Sequence, residues 1–531
     1  PAGPDIRISQ AEWGQTILKE NLKLVSGKQA LLRVSVVADR SGVSAGLSAQ
    51  VWRGGAFQGN VALTGPATLP TSVSPGDLSQ TFWGTLPASW VGSGLEVRLQ
   101  ADPTNAVAES NEANNSRTLT PSIMTVGTVL YLTSIPIRYT DTGASNTVRT
   151  PSIPNFGPFL TDIFPISGVQ TTTRAAAYSF SGNLRNGSDW SRLLNELRTL
   201  HSTDGRGPDH YYYGFIQTGY SSGIIGIGYI NWPVGAGWDR NATSNYSNDS
   251  SAWVMAHELG HNFNRWHAPC GATDGLDGAY PYTGAGLGTW GYSFGNTALN
   301  LINPNTVFDV MSYCNSQWTS DYTYEAVQRY LENNPPTAAR VLMAQTSSTA
   351  LLVRGSIRGG QVSLEPLMRL QAPVSPPQSG PYRLRLQTAS GPREVSFSTS
   401  VVAAPHGAGV AFGGAPEEHF SFTLPDAGEV TGLEIARGSL PLFSRQLGLR
   451  PMSTDDPGLR LSESGGFAQL YWSPSVFPYA AVAHLGPQRT SLALNLTGGE
   501  GRLETSDLPA GGQLEVVLSD GINSRRWVFN R

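Results

Sequence analysis

The chain has 531 residues, 14% of them charged, a formal net charge of −4, and 60 glycines and 36 prolines. This length allows three or four domains, and so much Gly and Pro favours short strands and surface loops over helical bundles. The sparse charge shows no long run of one sign, which argues against a nucleic-acid or anionic-membrane partner. No apolar stretch approaches the ~18 residues of a membrane span. The chain opens at Pro1 without a basic-then-apolar leader, so a signal peptide is absent from this chain and secretion has to be argued from other features. The only lysines are Lys19, Lys23 and Lys28, which reads most simply as codon bias.

Residues 1–122 read as an Ig-like β-sandwich, with strands at 31–37 and 95–99 and turns between. The run DPTNAVAESNEANN at 102–115 resembles the signature of bacterial CARDB-type Ig-like modules, which are common on surface and secreted proteins. Its acidic and Asn residues fit a hairpin held by Asx turns, with a calcium site as the alternative. Residues 123–335 change character. Strands are expected at 128–132, 211–216 and 223–230, and helices at 155–163, 189–200 and 250–262. The second helix carries Leu193, Leu194, Leu197 and Leu200 on one face, and the third has Asp249 or Ser250 as its cap. Beyond it lies a long Gly-rich stretch with few helical signals. Residues 336–450 and 451–531 return to strands and turns. Strands at 350–354, 382–386 and 420–424 form one expected sandwich, and those at 469–472, 491–494 and 514–518 another, with Ser519-Asp520-Gly521 as a hairpin turn.

The chemistry lies in His257-Glu258-Leu259-Gly260-His261. Histidines four apart stand one turn apart on one helix face and can bind one ion, with the glutamate beside them to take a proton from an activated water. No glutamate occurs between Glu258 and Glu325, which disfavours the thermolysin-like choice of a later glutamate as third ligand. His267 follows His261 by six residues and reaches the same ion if the helix ends in a sharp turn. Asn264 sits where that turn is needed, and Asn tolerates the left-handed conformation. The only two cysteines, Cys270 and Cys314, follow His267 and Met311 by three residues each. If those loops meet, the thiols are expected to pair, and a disulfide implies an oxidising compartment; two buried free thiols are the alternative, and a cysteine ligand is disfavoured because three histidines already fill the protein positions. The remaining histidines, His201, His210, His406, His419 and His484, are scattered and expected in surface or loop roles. Asp274 and Asp277 read as a turn, with structural calcium as the alternative. Trp266, Trp290 and Trp318 are assigned either to packing or to the lining of a cleft.

This pattern resembles the metzincin clan, whose motif HExxHxxGxxH is followed by a Met-turn. His257, Glu258, His261 and His267 match it position by position, Asn264 replaces its glycine, and Asp309-Val310-Met311-Ser312-Tyr313 matches the Met-turn. The resemblance implies zinc on the three histidines, Glu258 as general base, Met311 as an apolar floor, and Tyr313 as an extra ligand or oxyanion donor. Ala268, after the third histidine, fits no common subfamily label. The expected fold class is therefore multidomain: an α+β metzincin catalytic domain at 123–335, flanked by all-β immunoglobulin-like sandwiches. The expected function is a secreted, extracellular bacterial zinc endopeptidase acting on a protein or glycoprotein substrate, its sandwiches supplying cell-surface or glycan contacts. The rival is a zinc-binding adhesin with a weak or inactive protease domain; a third reading is zinc hydrolysis of a non-peptide bond.

Overall fold

The computed structural model describes residues 3–141, 144–147, 156–217, 223–239, 250–295, 301–336, 348–407, 414–447 and 455–531. Asn155 as a helix start, Asp249 as a helix cap and the boundary at residue 450 lie outside them. The chain is mostly β. Its helices longer than one turn, among the described residues, are α1 (Phe156–Ile163), α2 (Gly187–Thr203), α3 (Ser250–Asn262) and α4 (Asp321–Asn333). Ser250 is the first residue of α3 and not its cap. The fold divides into two compact units, one of Pro1–Leu130, Pro154–Gln170 and Arg265–Pro336, the other of Tyr131–Ile153, Thr171–Asn264 and Thr337–Arg531.

The first unit is built on a sandwich. Strands Ile6–Lys19, Ala30–Ala38 and Phe82–Leu86 lie in one sheet, and Ala56–Asn60, Leu47–Arg53, Leu95–Ala101 and Ser116–Leu119 in another. The core between them includes Trp13, Leu32, Val34, Val51, Val97 and Leu99, apolar positions that alternate along their strands as period-2 burial requires. The 102–115 run is a hairpin-like turn: Asp102 accepts from the amides of Ala106 and Val107, and Glu109 from that of Ile6. The long first strand continues past the sandwich and pairs with Gly291–Tyr292, Thr16 opposite Tyr292.

Helix α4 was not anticipated. Ser320 caps it by accepting from the Thr323 amide, Asp321 opens its first turn, and Thr323, Tyr324, Val327, Gln328 and Leu331 form the buried stripe. All three lysines serve this unit. Lys19 meets Glu325 at 2.6 Å and Asp321 at 3.4 Å, and Lys23 pairs with Glu332 on the same helix. Lys28 is buried and donates to the Phe164 carbonyl at 2.7 Å and Thr16 at 3.1 Å. Burial pushes its ammonium down to about 7.

The second unit holds a twisted sheet whose strands His210–Ile216 and Val234–Trp238 run parallel, with Gly226–Gly228 antiparallel beside the latter. The strand expected at 223–230 is thus shorter than the sequence indicates. Helix α2 presents Trp190, Leu193, Leu194, Leu197 and Leu200 to a core shared with Ile135, Ile137, Tyr212 and Val234. Its other face is polar and equally buried. Asn195 donates to the Gly355 carbonyl, Arg198 to that of His419, and Thr199 bonds Ser421. These partners belong to a C-terminal sandwich whose sheets contain Ser348–Arg358 with Glu417–Pro425, and Tyr382–Thr388 with Val430–Arg437. A further pair of sheets is formed by strands between Arg460 and Asn530, around Leu470, Val482, Leu492 and Val516. At its 519–524 connection Asp520 accepts from the amides of Ile522 and Asn523.

Candidate metal centre

Helix α3 carries the HExxH run into the interior of the second unit. His257, Glu258 and His261 are buried, and the two imidazoles lie with ring centroids 4.8 Å apart, edge to face. What brings the helix so close to the sheet is glycine. A Cβ on Gly226 would meet Glu258 Oε1 at 2.4 Å and Val254 Cγ1 at 2.7 Å, and one on Gly228 would meet Glu258 Oε2 at 3.0 Å. Both Glu258 carboxylate oxygens are buried without a hydrogen-bond partner among the described residues. Burial pushes this carboxyl well above the usual carboxylate range. A buried carboxylate left unbonded is costly, and a water held by a neighbouring dication would satisfy it.

The helix ends as the sequence requires. Asn262 donates its amide to the Tyr229 and Val234 carbonyls, fixing the last turn to the sheet. Asn264 is left-handed at φ 64°, its amide donating to the His261 carbonyl at 2.8 Å. The only residue of the common motif that differs here therefore adopts the backbone that glycine would.

In the first unit, His267 is buried and fixed on both sides. Its amide donates to the Gly275 carbonyl at 2.9 Å, and Nδ1 lies 2.7 Å from the Asp274 carbonyl oxygen, to which it donates. The Tyr313 hydroxyl is 3.2 Å from Nε2. Burial pushes this imidazole down to about 4, so it stays neutral, the form that binds metals. The Met311 turn is organised by buried Asp309, which accepts from the amides of Met311 at 2.8 Å and Ser320 at 2.9 Å. The two loops do meet: Ala268 donates to the Met311 carbonyl at 3.0 Å, Tyr313 to that of Cys270 at 2.8 Å, and Cys270 and Cys314 form a disulfide. Asp277 is a turn residue, bonding the Ala279 amide, the Arg265 guanidinium at 2.9 Å and the Tyr322 hydroxyl. Of the three tryptophans, Trp318 is buried and donates to the Thr16 carbonyl, whereas Trp266 is exposed.

One expectation is overturned. His201, His406, His419 and His484 are buried and not on surface loops. His419 bridges Ser191 at 2.9 Å and the Tyr229 hydroxyl at 2.6 Å, and His484 bonds the Gly511 carbonyl. His406 lies at the HExxH helix: its ring is 4.2 Å from that of His257, and its Nδ1 is 4.0 Å from Glu258 Oε1. Ligand atoms of His257, Glu258 and His406 all fall within 4.8 Å of one another. Sequence reasoning missed His406 because no local motif surrounds it. The spaced glycines at Gly226 and Gly228 were the available sign that something packs closely on that edge.

Residues 144–333 match the family model Reprolysin_5, of metallo-peptidase family M12. The chain is similar to Dictomallein of Burkholderia mallei strains SAVP1 and ATCC 23344, 24% identical in each case over an alignment covering 94% of this chain and 78% of the relative. Among solved structures, the crystal and solution structures of a Pyrococcus furiosus CARDB domain, the former in complex with di-metal ions, each match with 19% identity. They cover 23% of this chain and 90% and 98% of the domain respectively, at a TM-score of 0.16.

Proposed function

We propose that the protein is a secreted zinc endopeptidase in which His257, His261 and His267 hold one zinc ion and Glu258 acts as general base and then acid. The observation that carries this reading is the Glu258 carboxylate, buried without a hydrogen-bond partner among the described residues, on the helix that carries the paired imidazoles of His257 and His261. The donor set fits zinc: three imidazoles leave one position for water or substrate. The M12 match over 144–333 supports the peptidase class. Zinc bound there supplies Lewis acidity to the attacking water and to the scissile carbonyl.

The chain's own groups do the rest. Glu258 takes the proton of the attacking water and delivers it to the leaving amine. The Asp274 carbonyl fixes the His267 tautomer by accepting from Nδ1, which directs Nε2 outward. Tyr313, beside that Nε2, donates its hydroxyl proton to the developing oxyanion. Met311 closes the apolar floor, and the Cys270–Cys314 bridge ties the His267 loop to the Met311 loop. Disulfides persist in oxidising compartments, which supports secretion. The substrate is an extracellular protein or glycoprotein.

An unbiased peptide-library cleavage profile tests the reading. Wild type should cleave and Glu258→Gln should lose at least ~10² in rate, the usual worth of a positioned base, while keeping its zinc. Equal cleavage by both chains would refute the role of Glu258.

A further inference from the structure

The antiparallel strand Gly226–Gly228 pairs with Val234–Trp238 along one side only. Its other side, the edge facing away from the rest of the sheet, is occupied by the chain itself. Residues 401–406 leave the C-terminal sandwich, where Ser400 and Val401 pair with His419 and Glu418, and run antiparallel along this edge. Five backbone hydrogen bonds hold them there. Ile225 and Gly226 donate to the His406 carbonyl at 2.7 and 3.4 Å, and His406 donates to Gly226 at 2.9 Å. Ala403 donates to Gly228 at 2.9 Å, and Ile230 to Val401 at 3.0 Å. Gly407 passes so close that a Cβ there would meet the Gly223 carbonyl oxygen at 1.7 Å.

This contact is placed on the chemistry. The edge strand is the one whose glycines touch Glu258. The side chain delivered at the end of the segment is His406, over His257 and 4.0 Å from Glu258. His257 and Glu258 are fully shielded, each with zero exposure. An exposed strand edge is a general binding site for an extended peptide, whose main chain supplies the missing hydrogen bonds while alternate side chains enter pockets. Here the edge is already satisfied, and an imidazole fills the space beside the base.

We infer that residues 401–407 are an intramolecular occupant of the strand edge that an extended peptide substrate takes, and that His406 is a residue of the catalytic centre which substrate must displace. The inference rests on the zinc-peptidase reading above. Substrate and segment compete for the same amides of Ile225 and Gly226 and the same carbonyls of Gly226 and Gly228, so the resting chain is latent in proportion to the stability of this pairing. Specificity follows: a peptide that pairs well with a short glycine strand displaces the segment, and a folded or branched ligand does not.

The test uses the full chain loaded with zinc, as wild type, His406→Ala and Ala403→Pro. Proline at 403 removes the N–H that bonds Gly228 and lies outside the HExxH helix. Three quantities are read: zinc content, amide exchange at Ile225 and Gly226, and kcat/KM on an unstructured fluorogenic peptide. The expected result is unchanged zinc, faster exchange at those amides in Ala403→Pro, and a rise in kcat/KM of about tenfold, the scale of one net hydrogen bond lost from the closed state. His406→Ala raises kcat/KM in the same direction. Rapid exchange of these amides in wild type would overturn the inference, as would a fall or no change in kcat/KM in both variants. If no chain holds zinc or cleaves, the peptidase reading itself fails and takes this one with it; zinc-dependent cleavage indifferent to both substitutions removes this one alone.

Discussion

The Tyr313 hydroxyl lies 3.2 Å from Nε2 of His267, the nitrogen opposite the one committed to the Asp274 carbonyl. A phenol placed there can donate to an oxyanion without being needed to hold the imidazole, which the Asp274 carbonyl and the backbone bond to Gly275 already fix. Tyr313→Phe should therefore keep full zinc content and lose roughly 10–10³ in kcat, the span from a weak donor to a full oxyanion-hole donor. Steady-state kinetics with parallel metal analysis checks this. Loss of zinc from Tyr313→Phe would make the tyrosine a structural support.

The turn between the second and third histidines depends on Asn264 at φ 64°. Glycine adopts this conformation freely and β-branched residues do so at a cost. Asn264→Gly should leave stability within about 0.5 kcal/mol of wild type, whereas Asn264→Val should lose ~1–3 kcal/mol and weaken zinc binding. Thermal unfolding and zinc titration of both variants separate a backbone effect from a side-chain one.

The Cys270–Cys314 bridge closes a loop with a sequence separation of 44. On the chain-entropy view such a loop contributes about 4 kcal/mol. Intact mass should show no alkylatable thiols before reduction and two after. Reduction should lower the unfolding midpoint and raise the zinc dissociation constant, because both the His267 and Met311 loops lose their tie.

Acid sensitivity has an identifiable contributor. His201 is buried in α2 with its Nε2 2.8 Å from the His210 carbonyl oxygen, and burial pushes its imidazole down to about 4 from 6.5. Its folded pKa lies below its unfolded one, so the unfolded chain binds the proton first. The contribution to stability is full above pH 6.5 and is lost as pH falls through 4. The size is roughly 3 kcal/mol. Denaturant unfolding at pH 7, 5.5 and 4 should show this loss in wild type and a shallower slope in His201→Gln.

What was legible in the sequence follows from how local each signal is. The HExxH helix, the Asn264 turn and the Met311 turn lie within short windows, and their residue types dictate backbone and chemistry together. Helix α4 was hidden by its composition: Tyr, Thr and Val are mediocre helix formers, and the helix is held by the Ser320 cap and a buried stripe that only tertiary packing reveals. The lysines illustrate the same limit. Codon bias describes their rarity, yet each occupies a contact within one unit, two on the acidic face of α4 and one buried against Phe164. His406, His419 and His484 could not be placed from sequence because their partners come from distant strands.

The central claim is tested most directly by titrating chelated, metal-free chain with zinc while following hydrolysis of an unstructured peptide. Turnover should rise linearly and saturate at one zinc per chain, and Glu258→Gln should bind the same single equivalent and remain inactive. Turnover that survives excess chelator, or a chain that holds no stoichiometric zinc, would contradict the account.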